Sequence, residues 1–192
     1  MNFIDRNMQS QDILAELKEL SSNDKITKKE LMDILKKYAR IISAYDLMIA
    51  TAQMREDGKY VHAKYREKYL KIYIKYFIMR MKEIIVNEDY VDSAIDKETY
   101  DESFPLLEQT FIRERTAKYG QKDDKFPLIY VITSLYTTFI LEEPIHPVGS
   151  EFPGNLKVEK RNGIFLCPVK DNQKDNPNAI CHLCLAEQTP NI

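Results

Sequence analysis

The sequence predicts a mainly α fold: an antiparallel helical bundle ending in a short irregular metal-knuckle segment that carries a small β-hairpin. Three observations predict it. Apolar residues recur at helical spacing between Ile13 and Ile85. Capping residues punctuate that pattern. After Pro144 the texture changes: four of the eight prolines and three of the five glycines lie between Pro144 and Pro168.

Ser10 is placed to cap a first helix with Ile13, Leu14, Leu17 and Leu20 on one face. Thr27 and Glu30 form a capping box, the hydroxyl taking a first-turn amide while the carboxylate reaches back. Behind it Leu31, Ile34, Leu35, Tyr38, Ile41, Ile42, Tyr45, Met48 and Ile49 predict one long helix over 28–56, ended by Asp57-Gly58. A second long helix, 60–86, carries Leu70, Ile74, Phe77, Ile78, Met81 and Ile85. The tight turn between them predicts an antiparallel hairpin.

Ser103 is expected to cap a helix with Pro105 in its first turn, where the missing N–H costs little. That helix runs through Leu107, Phe111 and Ile112 to a stop at Gly120. Pro127 opens an apolar helix reaching about Glu143, although its Ile, Val, Thr and Tyr content also suits strands. Leu156-Lys157-Val158 and Ile164-Phe165-Leu166 flank an Asn-Gly turn and predict the hairpin. The division is therefore a helical domain, 1–143, and a Cys-rich irregular segment, 144–192, packed on it.

At 192 residues with 44% hydrophobic and 30% charged residues, the chain can build a core and solvate its surface. The net charge of −2 means that any polyanion signal must be local. The N-terminal residues lack the basic start and apolar run of a signal peptide. The longest apolar stretch, Phe126–Leu141, is shorter than the roughly 20 residues that span a bilayer. A cytoplasmic protein with no membrane partner is expected. Three cysteines, all near the C-terminal end, do not make a secreted disulfide framework.

Those cysteines are the main chemical signal. Cys167 is separated by thirteen residues from a Cys181-x-x-Cys184 pair, which sets two thiols on one tight turn. Soft thiolates select zinc, copper(I) or an iron–sulfur cluster over magnesium or calcium. Closed structural zinc takes four ligands, so one is missing from the cysteine count. His146, in the rigid Pro144-Ile145-His146-Pro147 loop, is preferred to His182 inside the knuckle. The expected metal set is Cys167, Cys181, Cys184 and His146, with zinc as cofactor and an iron–sulfur cluster as the alternative. Three ordinary buried thiols, or a redox pair at Cys181 and Cys184, are the plainer readings.

Two further groupings matter. Glu142, Glu143 and His146 could bind a metal or share a proton, but Pro144 breaks the register between them, and solvated carboxylates beside a loop histidine are the simpler account. Between Lys59 and Lys82 stand eight basic residues against one acid, Glu67. Lys64, Lys68, Lys71, Lys75 and Lys82 share a helical face near Tyr65, Tyr69, Tyr73 and Tyr76, a pattern that suits phosphates and stacked bases. Residues 88–108 reverse the sign, with eight acids against Lys97. The plainer account is a solvated lysine face with snorkelling stems. His62 is expected at the surface. No Gly-rich phosphate loop, Ser nucleophile elbow or helical His-Glu-x-x-His motif is present.

Several blocks carry a family resemblance: Phe139 to Gly149 (FILEEPIHPVG), Phe152-Pro153-Gly154, Cys167-Pro168-Val169-Lys170, Asn176-Pro177 and Cys181-x-x-Cys184. Together they resemble an uncharacterised protein family of methanogenic archaea, a domain of unknown function. The resemblance implies an archaeal cytoplasmic protein and brings no established reaction, cofactor or partner. It implies that Cys167, Cys181, Cys184 and His146 recur, whereas His182 is not a fixed part of the pattern. An oxygen-free cell would also tolerate an iron–sulfur cluster.

The expectation is thus a noncatalytic accessory or assembly-type protein that acts through protein contacts and carries a structural metal at its C-terminal end. Its rivals are a nucleic-acid-binding module using the Lys/Tyr helix 59–82 and a metal-dependent enzyme at Glu142, Glu143 and His146. No catalytic or cofactor-binding residue is assigned, and whether the chain is an enzyme stays open.

Overall fold

The fold is mostly helical, with two small sheets near its C-terminal end. The computed structural model describes residues 5–60, 62–116, 125–175 and 179–190. Helix α1 spans Asp5–Ser21, so Ser10 lies inside it rather than capping it. Ile13 and Leu17 are fully buried and Leu20 nearly so, the face that the spacing predicts.

Helix α2, Lys28–Ala39, opens on the expected capping box: Thr27 Oγ1 accepts from Glu30 N at 3.2 Å, and Glu30 Oε2 accepts from Thr27 N at 2.8 Å. The predicted single helix over 28–56 is broken, however. Helix α3 runs Ala44–Asp57 behind a second capping box in which Ser43 Oγ accepts from Asp46 N at 3.2 Å and Asp46 accepts from Ser43 N at 2.8 Å. A Ser with an acid three residues on starts a helix, and here that local signal overrides the continuing apolar period. Ile41, Tyr45 and Met48, read from the sequence as part of the buried stripe, are exposed by 39%, 64% and 62%.

Helix α4, Ala63–Val86, is the long helix expected, and it buries Leu70, Ile74, Phe77, Met81 and Ile84. His62 is at the surface, as expected, and its Nδ1 accepts from the Lys64 amide at 3.3 Å, capping the helix. Helix α5, Lys97–Glu102, was not anticipated; Asp96 caps it through Thr99 N at 3.2 Å. Helix α6 spans Phe104–Thr116. Ser103 does not cap it with its hydroxyl, which instead donates back to the Tyr100 carbonyl at 2.6 Å. The stop expected at Gly120 lies outside the described residues, as do the side chains of Phe111 and Ile112.

Helix α7, Phe126–Leu135, begins at the expected proline but does not continue as α-helix to Glu143. Tyr136–Ile140 form a π-helical turn, and Leu141 N donates five residues back to Tyr136 O at 3.1 Å. The hydroxyl of Thr137 donates to the Thr133 carbonyl at 2.7 Å, competing for the acceptor that an α-helix would give to the Thr137 amide. Glu142 then takes a left-handed backbone, φ 53°, which ends the element.

Strand β1 (Glu151–Phe152) pairs antiparallel with β2 (Leu156–Lys157). Strands β3 (Glu159–Arg161) and β4 (Ile164–Cys167) form the second hairpin, closed by Asn162 and Gly163 at φ 51° and 86°. The Asn-Gly turn is the one expected, since both positions need positive φ. The strand before it is not: Leu156-Lys157 belongs to the first hairpin. Strand β5 (Glu187–Gln188) adds to β4 in parallel.

One large core gathers side chains from α1, α2, α3, α4, α5, α6, α7 and the π turn, with Leu183 from the C-terminal segment. A separate small cluster of Val158, Cys167 and Ala186 sits among the strands, with Phe152, Phe165, Val169 and Cys184 against it. The acidic stretch after α4 lies beside α2: Lys28 N donates to Ser93 O and Ile95 N to Ile26 O, both at 2.9 Å. No helix among the described residues is long and apolar enough to cross a membrane.

Candidate metal centre

Three separate pieces of chain carry the thiols. Cys167 ends β4 and is buried, 6% exposed, and its carbonyl accepts from Thr189 N at 3.0 Å. Cys181 lies in the 3-10 turn Ile180–His182, and Cys184 follows it, its amide donating to Cys181 O at 3.2 Å. The fold brings all three into one neighbourhood. Burial pushes the thiols of Cys167 and Cys181 up, and the nearby Cys184 pushes both further in the same direction. Lys170 and the amides of Val169 and Lys170 act the other way on Cys167, stabilising its thiolate form. The Cys184 sulfur accepts from Ile145 N at 3.4 Å, and Lys170 Nζ donates to the Cys184 carbonyl at 2.7 Å. Amide donors aimed at sulfur are what a metal-bound thiolate needs around it.

His146 follows directly after the residue whose amide reaches Cys184. Its ring sits in an aromatic box: Tyr73 at 5.7 Å, Phe152 at 5.6 Å and Tyr69 at 6.1 Å between centroids. Its Nε2 lies 3.5 Å from Tyr69 Oη. Burial pushes the imidazole down to about 4, so the ring is neutral at neutral pH, the form that ligates a metal. Burial pushes the Tyr69 hydroxyl up, and Cys181 acts in the same direction. Sequence reasoning missed this box, although Tyr69 and Tyr73 stand at i and i+4 on α4 and so must share a face.

His182 is exposed and faces elsewhere, lining a pocket with Thr99, Glu102, Ser103, Pro105 and Leu106 of α5 and α6. His146 lies next to Ile145, whose amide donates to the Cys184 sulfur, whereas His182 follows Cys181 directly in the chain. As the side chains stand, no group of three or more His, Cys, Asp or Glu among the described residues is placed to hold a metal ion. The four predicted ligands share a neighbourhood without sharing a coordination shell.

Glu142 and Glu143 diverge from His146. Glu142 pairs with Lys28 of α2 at 2.7 Å. Glu143 pairs with Arg80 of α4, which also holds Glu83 at 2.6 Å. Each carboxylate has a cation of its own, so the grouping read from the sequence is divided between two ion pairs.

The family model that describes an uncharacterised protein conserved in archaea, DUF2115, matches residues 27–189. The chain belongs to this family. A UPF0305 protein of Methanothermobacter thermautotrophicus is 30% identical over 87% of this chain and 99% of its own length. One from Methanocaldococcus jannaschii is 33% identical over 83% of this chain and 94% of its own. A relative from Methanopyrus kandleri is 32% identical over 70% and 92%. No solved structure matches the chain. The DUF2115 match runs from the first capping box through the last cysteine, so helical body and thiol-bearing segment fall within one family unit.

Proposed function

We propose that this DUF2115 protein is a noncatalytic accessory or assembly-type protein acting through protein contacts. Its segment 144–192 is stapled to the helical domain 1–143 by one structural metal, held by Cys167, Cys181, Cys184 and His146. The helical domain is read as a bundle in which α2, α3 and α7 pack on α4.

The observation that carries the reading is the gathering of three thiols and a neutral histidine where the strands meet the helical body. The donor chemistry fits a soft or borderline ion: three sulfurs, one imidazole nitrogen and backbone amides directed at two of the sulfurs. Binding would deprotonate thiols that burial otherwise keeps neutral, and it would draw the four side chains together. Energetics point the same way. The small cluster around Val158 offers little apolar burial against the entropy of ordering the segment. Structural zinc supplies on the order of 10 kcal/mol in small modules at neutral pH. The rival enzyme reading at Glu142, Glu143 and His146 draws less support, because Glu142 pairs with Lys28 and Glu143 with Arg80.

Elemental analysis and a visible spectrum of anaerobically purified protein test this. One zinc per chain and a colourless solution are expected. Brown, iron-containing protein would replace zinc by a cluster on the same thiols. Folded, metal-free protein with an intact C-terminal segment would overturn the staple.

A further inference from the structure

The exposed face of α4 is a lysine-rich surface that the metal reading leaves unused, with one exposed acid, Glu67, among the lysines. Lys64, Lys68, Lys71, Lys75 and Lys82 are all exposed, and they recur every three or four residues from Lys64 to Lys75. At 1.5 Å rise per residue the first four stand about 4.5–6 Å apart along the axis, a run of roughly 16 Å. Glu67 is the one acid on this helix before Glu83. Among the described residues the ion pair these lysines make is an exposed one, Lys68 with Glu151 at 3.3 Å. Such a pair holds its lysine weakly.

The row does not stop at the helix. Strand β1 packs on α4, and Glu151 is registered across from Lys157 of β2, which is exposed. Lys160 and Arg161 of β3 are exposed as well, Lys160 lying over the Phe165 ring and Arg161 paired with Glu159 at 2.5 Å. Two acids of the stretch after α4 are engaged elsewhere, Glu88 by Lys36 at 2.5 Å and Asp92 by the Lys29 amide at 3.1 Å.

The tyrosines decide what kind of partner fits. Two of them turn away from the lysines: Tyr69 stacks on Tyr73 against His146 and Phe152, while Tyr65 lies under Lys64 and its Oη accepts from Gly154 N at 3.3 Å, and Tyr76 lies under Arg80. Tyr69 and Tyr73 are therefore turned away from the lysine row rather than offered to a base. A protein interface would want a buried aromatic or aliphatic anchor and tends to exclude lysine, whereas α4 exposes no large apolar side chain along the run from Lys64 to Lys75; those it does expose, Met79, Ile85 and Val86, lie beyond that run. Repeated point charges without anchors suit a repeated anion.

We infer that the lysine face of α4, extended by Lys157, binds the phosphate backbone of a nucleic acid without reading its sequence. The test is fluorescence anisotropy with a labelled single-stranded RNA and a DNA duplex of mixed sequence. Four neutralised phosphates on a single strand predict a drop in affinity of about 50-fold between 50 and 200 mM salt. Binding should vanish in the triple variant Lys68→Glu, Lys71→Glu, Lys75→Glu and persist in a control that reverses three exposed lysines of other elements, Lys25, Lys29 and Lys174. Circular dichroism should show both variants folded. Failure to bind either nucleic acid at 50 mM salt would overturn the inference, as would equal loss in both variants or binding indifferent to salt. Preference between RNA and DNA would identify which backbone the face fits. None of these outcomes depends on the metal.

Discussion

The ammonium of Lys28 bonds the carboxylate of Glu142 at 2.7 Å and lies 3.3 Å from the Ile140 carbonyl, tying the start of α2 to the end of the π turn. Lys28 is 7% exposed, whereas the Glu142 side chain is 66% exposed. Removing the lysine therefore leaves a hydrated carboxylate and one carbonyl short of a donor. Lys28→Ala should cost about 1–3 kcal/mol rather than the 3–5 of a fully buried pair. Urea unfolding followed by circular dichroism measures it, and a variant as stable as the parent would mean that the contact is not holding the turn.

The break between α2 and α3 gives one apolar stripe two fates. Leu35 is fully buried, while Met48, thirteen residues on in the same sequence pattern, is 62% exposed. Leu35→Ala should lose about 2–5 kcal/mol to the cavity and the lost transfer energy. Met48→Ala should stay within about 0.5 kcal/mol of the parent. Parallel thermal melts check both, and similar losses at the two positions would argue for the unbroken helix.

Asp46 supplies a pH test of that break. Burial pushes its carboxyl up, but the Ser43 hydroxyl and amide and Lys125, at 3.4 Å, outweigh it and hold the pKa below the usual carboxylate value. A depressed pKa stabilises the fold above the unfolded value near 4 and loses that contribution as pH falls through the folded pKa. Asp46→Asn should cost about 1 kcal/mol at pH 7. The gap from the parent should narrow steadily below pH 4. A difference that ignores pH would show the carboxylate charge to be irrelevant there.

What the sequence disclosed follows from how local each signal is. Thr27 and Glu30 are three residues apart, and their box was legible. So was the Asn162-Gly163 turn. Ser43 and Asp46 form an equally local box, yet it lay within an apolar period that continues through it, and the period was believed. The Glu142–Lys28 and Glu143–Arg80 pairs join residues far apart in the chain, so the carboxylates could only be grouped with the neighbouring His146. The tyrosines beside the lysines are adjacent in sequence, but helix rotation turns Tyr69 and Tyr73 toward His146. The metal set of Cys167, Cys181, Cys184 and His146 is a reading of ligand chemistry and stands as a proposal, while the aromatic box around His146 joins residues far apart in the chain.

If a metal staples residues 144–192, chelation should loosen that segment selectively. Treatment with a strong chelator should leave helical circular dichroism nearly unchanged while proteases begin to cut after residue 144. Cys184→Ser should reproduce this without chelator, and His146→Ala should do so if the imidazole completes the shell. A segment equally protected with and without metal would confine any ion to an incidental role.

The most direct measurement is X-ray absorption at the metal edge of the purified protein. The account predicts one zinc with three sulfur neighbours at about 2.3 Å and one nitrogen at about 2.0–2.1 Å. Loss of one sulfur is expected in Cys167→Ser, and loss of the nitrogen in His146→Ala. A bound metal with no sulfur in its shell, or a folded chain that never takes up a metal, would contradict it.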